Sequence, residues 1–355
     1  MKPASILLLA VIIALSGLLL AQEPQPPPTF KSSTSLVLVR FHVNRQNRFA
    51  TDITRNDVIL LEDGVERPID VFEGGRGTGR VIPIEMAIAV DISGSVADQG
   101  LTDPVAYIST LLEGLPGASL GVYGFARDAH RYCGFTRDPA VLSAAFAELR
   151  KARDDPKSGP VRVPTVLPKG RSSTSGASWI YESVLAIAQD ASASPGTATR
   201  PIVVFSDGQT TTTTRAADVV PGLLAQGVSI YPVALGHRQL IEEMRAVQEG
   251  NYDAAGQLSQ NARTRMYRLE DREREVKELA SLGPLTGGRP FDPPNLAPDT
   301  VRAILAMLTA TVASEYVVGF AAAPSTGTAR PHKLEVKLRS KETGAVMGGK
   351  RAIVY

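Results

Sequence analysis

Hydrophobic and polar positions change texture several times along this chain. Residues 36–43 alternate strictly, with Val37, Val39, Phe41 and Val43 on one side and Leu36, Leu38, Arg40 and His42 on the other. That is the period-two pattern of a half-buried strand. Residues 58–61 and 69–72 repeat the strand pattern, with a turn at Glu62-Asp63-Gly64 between them. No helical period separates the three, so they predict part of a β-sandwich, with too few strands to close it. The same helix-free texture returns at 316–320, 334–338 and 352–355, which supplies the missing strands from the other end of the chain.

The middle reads differently. Residues 84–90 are almost continuously apolar, as a strand buried on both faces should be. Val105, Ile108, Leu111 and Leu112 then fall on one helical face. Further strands are expected at 120–125, 202–205 and 228–233, and helices at 141–149, 178–189, 216–224 and 297–313. Alternation of this kind predicts a mainly parallel sheet flanked by helices. Residues 237–283 are charged and helical, with signs alternating from Arg272 to Lys277, and are expected to form solvated excursion helices. The architecture expected is an α/β domain over 81–313 inserted into a β-sandwich built from 34–80 and 314–355. Helix 297–313 would then lead directly into the sandwich strand at Tyr316, offering a mechanical link between the two.

The start of the chain sets the compartment. Lys2 precedes an apolar run over residues 6–20, interrupted at Ser16-Gly17 and followed by Ala21. Residues 1–21 therefore read as a secretory signal cleaved near Ala21-Gln22. The competing reading is a retained anchor, for which the run falls short of the roughly 20 residues a spanning helix needs. Residues 22–33, with Pro24 and Pro26 to Pro28, read as an extended linker reaching ~35 Å. The expectation is an exported protein, periplasmic or extracellular, with no membrane span after cleavage.

Composition narrows the chemistry. Across 355 residues, 38 basic and 36 acidic side chains leave a net charge of +2, which argues against a dedicated nucleic-acid binder. The single cysteine, Cys133, excludes an internal disulfide and a Cys-rich zinc module, and is expected to be a small buried residue. His42, His130, His237 and His332 lie far apart, with no i, i+4 pair. A metal, if present, is expected to be held by oxygen.

Such an oxygen set stands at two strand ends. The strand at 84–90 runs into Asp91-Ile92-Ser93-Gly94-Ser95, a carboxylate and two hydroxyls at alternating positions around a flexible glycine. The strand at 202–205 runs into Ser206-Asp207-Gly208. Carboxyl ends of parallel strands are where α/β sheets place their sites, and hard oxygen ligands suit Mg²⁺. The plainer reading is a helix cap at Asp91 and Ser95 and an ordinary turn at Asp207. Two such ends in one α/β pattern favour the site.

Asp91, Ser93 and Ser95 resemble the D-x-S-x-S signature of the von Willebrand factor type A (VWA) domain, a Rossmann-like fold. Residues 203–208 (V-V-F-S-D-G) resemble that family's later strand and second aspartate. The family's third loop resembles Gly176-Ala177-Ser178-Trp179-Ile180-Tyr181-Glu182-Ser183, with the family threonine falling on Ser178 and Thr174 as the alternative hydroxyl. Residues 36–39, 61–64 and 315–320 are further similar to a subgroup called VWFA-related domain proteins, known mainly from secreted acidobacterial proteins. The resemblance implies a metal-ion-dependent adhesion site (MIDAS) formed by Asp91, Ser93, Ser95, Ser178 and Asp207. It would hold Mg²⁺, or Mn²⁺ or Ca²⁺, with one position open for a carboxylate from a protein partner. Lys151, Arg153, Lys157, Arg162, Lys169 and Arg171 make the loop before Ser178 basic, as a border favouring an acidic partner or as a solvated loop rich in proline.

Other motifs weigh less. Gly117-Ala118-Ser119-Leu120-Gly121 matches G-x-S-x-G, yet a helix pattern precedes it and a strand follows, the reverse of a nucleophile elbow. The glycines of 74–79 lead into a strand, so they lack the helix N-terminus that holds a phosphate and read as a hinge. Trp179 and Tyr181 read as packing residues. The function expected is non-enzymatic, metal-dependent protein binding. The alternatives are a metal-assisted hydrolase, for which Glu182 is the nearby general-base candidate, and an envelope scaffold with an unoccupied metal site.

Overall fold

The fold is given by a computed structural model, which describes residues 35–46, 48–75, 83–97, 112–113, 115, 117–154, 161–164, 178–193, 198–250, 252, 256–295, 297–322 and 331–354. The leader, the proline-rich linker and most of the helix expected around Val105 lie outside the described residues.

The N-terminal strands are β1 (Ser35–Arg45), β2 (Arg48–Phe49), β3 (Val58–Glu62), β4 (Val65–Arg67) and β5 (Val71–Gly74). The central elements are β6 (Glu85–Asp91), β7 (Ser119–Phe125), β8 (Ala129–Thr136), α1 (Pro139–Asp154), β9 (Val161–Val163), α2 (Ile180–Ser192) and β10 (Pro201–Ser206). They continue with α3 (Ala216–Gln226), β11 (Ser229–Ala234), α4 (His237–Gly250), α5 (Gln260–Thr286) and α6 (Pro298–Ala313). The chain closes with β12 (Tyr316–Ala322), β13 (Pro331–Leu338), β14 (Ala345–Gly348) and β15 (Lys350–Val354).

Strands from both ends of the chain interleave in two antiparallel sheets. One runs β14-β1-β12-β5, with β2 beside β1; the other runs β15-β13-β3-β4. The alternation of β1 explains their contact. Val37, Val39, Phe41 and Val43 point into a core shared with Val58, Leu60, Tyr316, Val318, Phe320, Leu334 and Val336. The opposite face of β1 turns to the α/β part, where Arg40 Nε donates to Gly227 O at 3.2 Å and Arg40 Nη1 to Thr199 Oγ1 at 2.6 Å.

The central sheet runs β11-β10-β6-β7-β8-β9. β11, β10, β6 and β7 are parallel, and β8 and β9 extend the edge as antiparallel strands. Every residue of β10 and β11 is buried, because helices cover both faces. Val203, Phe205, Tyr231 and Val233 pack with Leu142 and Phe146 of α1 and Leu305 and Leu308 of α6. Ile202, Val204 and Ile230 pack instead with Ile180 and Val184 of α2, Val219 of α3 and Leu279 and Leu282 of α5. The fold is thus mixed α/β, a mainly parallel central sheet flanked by helices, with two additional antiparallel sheets.

One strand is added and two expectations change. Residues 129–136 form a strand of a hairpin with β7, and Cys133 within it is half-buried rather than buried. The stretch 237–283 is helical but not wholly solvated. Met266, Leu269, Val276, Leu279 and Leu282 form a buried stripe on α5 at three- and seven-residue intervals. The dense charge on the remaining faces hides that stripe. No described helix is long and apolar enough to cross a membrane.

Candidate metal site

β6 continues to β7 on one side of it in the sheet, whereas β10 arrives on its other side after β9 and α2. The carboxyl ends of β6 and β10 therefore flank a topological switch point, where an open α/β sheet leaves a crevice. Parallel register pairs Ala89 with Val204 and Val90 with Phe205, which sets Asp91 beside Ser206. Ser206 Oγ donates to Asp91 Oδ2 at 2.7 Å, and the Ser93 N–H donates to Asp91 Oδ1 at 2.9 Å.

The adjoining segments are tied to the same place by backbone hydrogen bonds. Ile92 N–H donates to Phe125 O, and Trp179 N–H to Ala126 O, both at 2.8 Å. The Ser178 carbonyl accepts from Thr211 N–H at 2.9 Å and from the hydroxyls of Thr210 and Thr211 at 3.1 Å. These bonds join the loops after β6, β7 and β10 to the start of α2. Asp207 is set by its own turn, with Oδ1 accepting from Gln209 N–H at 3.1 Å and Oδ2 from Gln209 Nε2 at 2.7 Å.

Asp91, Ser93, Ser178 and Asp207 are buried, with exposures from 1% at Asp91 to 5% at Ser93. Ser95 lies in the helical turn Gly94–Ala97, and Thr174 lies outside the described residues. Of the basic loop, Lys157, Lys169 and Arg171 also lie outside them, while Arg162 pairs with Asp128 at 2.7 Å and Lys151 with Glu148 at 2.6 Å.

The electrostatics of this site are unfavourable as they stand. Burial pushes the Asp91 carboxyl up to about 6, and the charge of Asp207 acts in the same direction, against the hydrogen bonds from Ser206 and Ser93. Ser178 Oγ is buried without a hydrogen-bond partner among the described residues, a costly state for a hydroxyl. Two buried carboxylates and an orphaned hydroxyl are the donor chemistry that a hard cation satisfies, so these residues fit one.

Two contributors were not legible in the sequence. The run Thr210–Thr214 supplies hydroxyls to both sides of the site: beyond the bonds to Ser178, Thr212 and Thr214 donate to the buried Glu182 carboxylate. Helix α5 forms a wall. Gly208 has φ +80°, and a Cβ there would lie 2.9 Å from Val276 Cα and 3.0 Å from Val276 N. Burial, followed by the charges of Asp271 and Asp207, raises the pKa of Glu275 on this wall. Gly208→Ala would combine left-handed strain with a clash against helix backbone. It is expected to cost at least ~2 kcal/mol in urea unfolding and to remove any cation response of the fold.

No family model and no curated protein matches the chain. Among solved structures, it is similar to an aerotolerance-related membrane protein from Bacteroides fragilis, at 18% identity over 64% of this chain and 98% of that one, with TM-score 0.35. It is similar to the ArnB paralog VWA2 from Sulfolobus acidocaldarius, at 10% identity over 90% of this chain and 75% of that one, with TM-score 0.35. A third similarity is to proximal thread matrix protein 1 of the mussel byssus, a structure with a zinc-occupied MIDAS motif. There the identity is 12% over 69% of this chain and 48% of that one, with TM-score 0.36.

Proposed function

We propose that this chain is an exported, non-enzymatic, metal-dependent protein-binding module of the VWA type, in the VWFA-related subgroup. Asp91, Ser93, Ser95, Ser178 and Asp207 would hold Mg²⁺, with Mn²⁺ or Ca²⁺ suiting the same oxygen set. The observation that carries the reading is the set of buried oxygen donors of Asp91, Ser93, Ser178 and Asp207 near the switch point of the sheet, in which Ser178 Oγ has no partner among the described residues. A bound cation would supply a positive centre for a carboxylate on a partner protein. Two aspartates roughly neutralise a divalent ion, leaving it able to attract a further acidic group.

The hydrolase reading needs a general base that is free to take a proton. Glu182, the candidate nearest in sequence, is buried and engaged by the hydroxyls of Thr212 and Thr214, which supports a structural role for it. Thermal melts in EDTA and in excess Mg²⁺ test the metal. A cation at 100 times its dissociation constant stabilises the folded state by about 2.7 kcal/mol. A rise in melting temperature that Asp207→Ala abolishes is the expected result. Superimposable melts for the unsubstituted chain in Mg²⁺, Mn²⁺, Ca²⁺ and EDTA would leave the scaffold reading instead.

A further inference from the structure

The sandwich carries a second group of ligand-type side chains, on a different sheet from Asp91. Along β3 the buried positions are Val58, Leu60 and Glu62, and along β13 they are His332, Leu334 and Val336. Glu62 stands opposite Leu334 in the antiparallel register, so Glu62 and His332 are neighbours on the inward face of one sheet. Strand alternation calls for apolar side chains at both positions, and burying two ionisable groups there is unfavourable unless something compensates them.

Their geometry, with that of Asp63 in the adjoining turn, is convergent. His332 Nδ1 lies 2.9 Å from Glu62 Oε1 and 3.0 Å from Asp63 Oδ2, and the three ligand atoms lie within 4.8 Å of one another. One imidazole nitrogen carries at most one proton, yet two carboxylate oxygens face it. The second oxygen of each carboxylate is engaged elsewhere. Arg67 Nε donates to Glu62 Oε2, and Lys333 N–H donates to Asp63 Oδ1 at 2.8 Å. Asp63 is fixed further by its own N–H, which donates to Lys333 O at 2.8 Å. The oxygens facing the imidazole are thus oriented by outer partners, as ligands of a metal are.

We propose that Glu62, Asp63 and His332 form a second metal site, for a zinc-type cation, with its remaining coordination position open to water beside the exposed Asp63. Tetrahedral zinc places its nitrogen and oxygen ligands roughly 3.3 Å apart. The two observed nitrogen–oxygen spacings need to open by only a few tenths of an ångström. The imidazole nitrogen selects zinc-type ions over Mg²⁺ and Ca²⁺, which prefer oxygen alone. The site would clip the β3–β4 turn to the start of β13, linking segments that lie about 270 residues apart in the chain and stabilising the sandwich on binding.

The test uses the full chain carrying Asp91→Asn and Asp207→Ala, so that the first site does not contribute. Zinc binding is measured by calorimetry, and Co²⁺ by its visible absorption bands. One equivalent of Zn²⁺ and an intense four-coordinate Co²⁺ spectrum are expected. His332→Gln and the exposed Asp63→Asn should each weaken zinc binding by more than about 100-fold. Asp63→Asn serves as the variant that leaves the core untouched. Absence of saturable zinc binding in the doubly substituted chain, or binding unchanged by both further variants, would overturn the proposal and leave a hydrogen-bonded cluster of His332 with two carboxyl groups.

Discussion

Replacing Asp91 by asparagine is expected to make the metal-free protein more stable while abolishing its response to Mg²⁺. In the folded state burial raises the Asp91 carboxyl to about 6 from its ordinary value of 3.8. Holding it ionised at pH 7.5 therefore costs about 3 kcal/mol. Asparagine removes that charge. Its carbonyl oxygen still accepts from Ser93 N–H, whereas the Ser206 hydroxyl must give up its carboxylate acceptor at about 1 kcal/mol. The net gain expected in EDTA is about 2 kcal/mol by urea unfolding.

The pH dependence has a definite sign. Because the folded-state pKa lies above the unfolded one, the folded protein binds the extra proton between pH 4 and 6. Stability of the metal-free wild type falls as pH rises through that window. The advantage of Asp91→Asn should then be absent below pH 4 and complete above pH 6. In saturating Mg²⁺ the order reverses at pH 7.5, since only the wild type gains from the cation. A variant less stable than wild type in EDTA at pH 7.5 would show that the Asp91 charge is already compensated without metal.

The parts of the fold legible in the sequence are those whose signal is local. β1 shows its buried face through Val37, Val39, Phe41 and Val43, and β6 and β10 are short apolar runs because helices cover both sides. β8 escaped because its residues are mostly half-buried, so neither alternation nor an apolar run marks it. β4 and β14 are edge strands of three and four residues, too short to carry a period. Helix α5 was legible as a helix, but its inward stripe is diluted by the charges around it.

The candidate site follows the same division. Asp91 and Ser93 share one strand end and Asp207 closes another, so three of its residues follow from strand topology. Ser178 needed the resemblance to a family pattern. Glu275 comes to the site only because Gly208 lets α5 pack against the loop. The convergence of His332 on Glu62 is likewise a product of strand pairing. Wide spacing of histidines in the chain gave no sign of this cluster, because an antiparallel ladder makes neighbours of residues at opposite ends of the sequence.

The largest loss of stability is expected at Arg40, where the sandwich meets the α/β part. Its guanidinium donates to Thr199 Oγ1 at 2.6 Å, Glu315 Oε2 at 3.2 Å, Gly227 O at 3.2 Å and Ala198 O at 3.4 Å. The side chains of Arg40 and Glu315 are 15% and 3% exposed. Arg40→Ala leaves the Glu315 carboxylate buried beside the Ser229 hydroxyl, 3.4 Å away, and should cost ~3–5 kcal/mol in urea unfolding. Most of that loss comes from the stranded charge. Adding Glu315→Gln to Arg40→Ala should therefore recover part of it, giving a coupling well above the ~0.5 kcal/mol at which separate sites add. Purely additive losses would show that the pair acts through packing. Thr199, Gly227 and Ser229 lie at the amino ends of β10 and β11, whereas Asp91 and Asp207 lie at the carboxyl ends of β6 and β10. Arg40→Ala is thus expected to lower stability equally in EDTA and in Mg²⁺, leaving the cation response intact. A response lost together with the ion pair would mean that the sandwich junction and the candidate metal site at the far end of the sheet are energetically coupled.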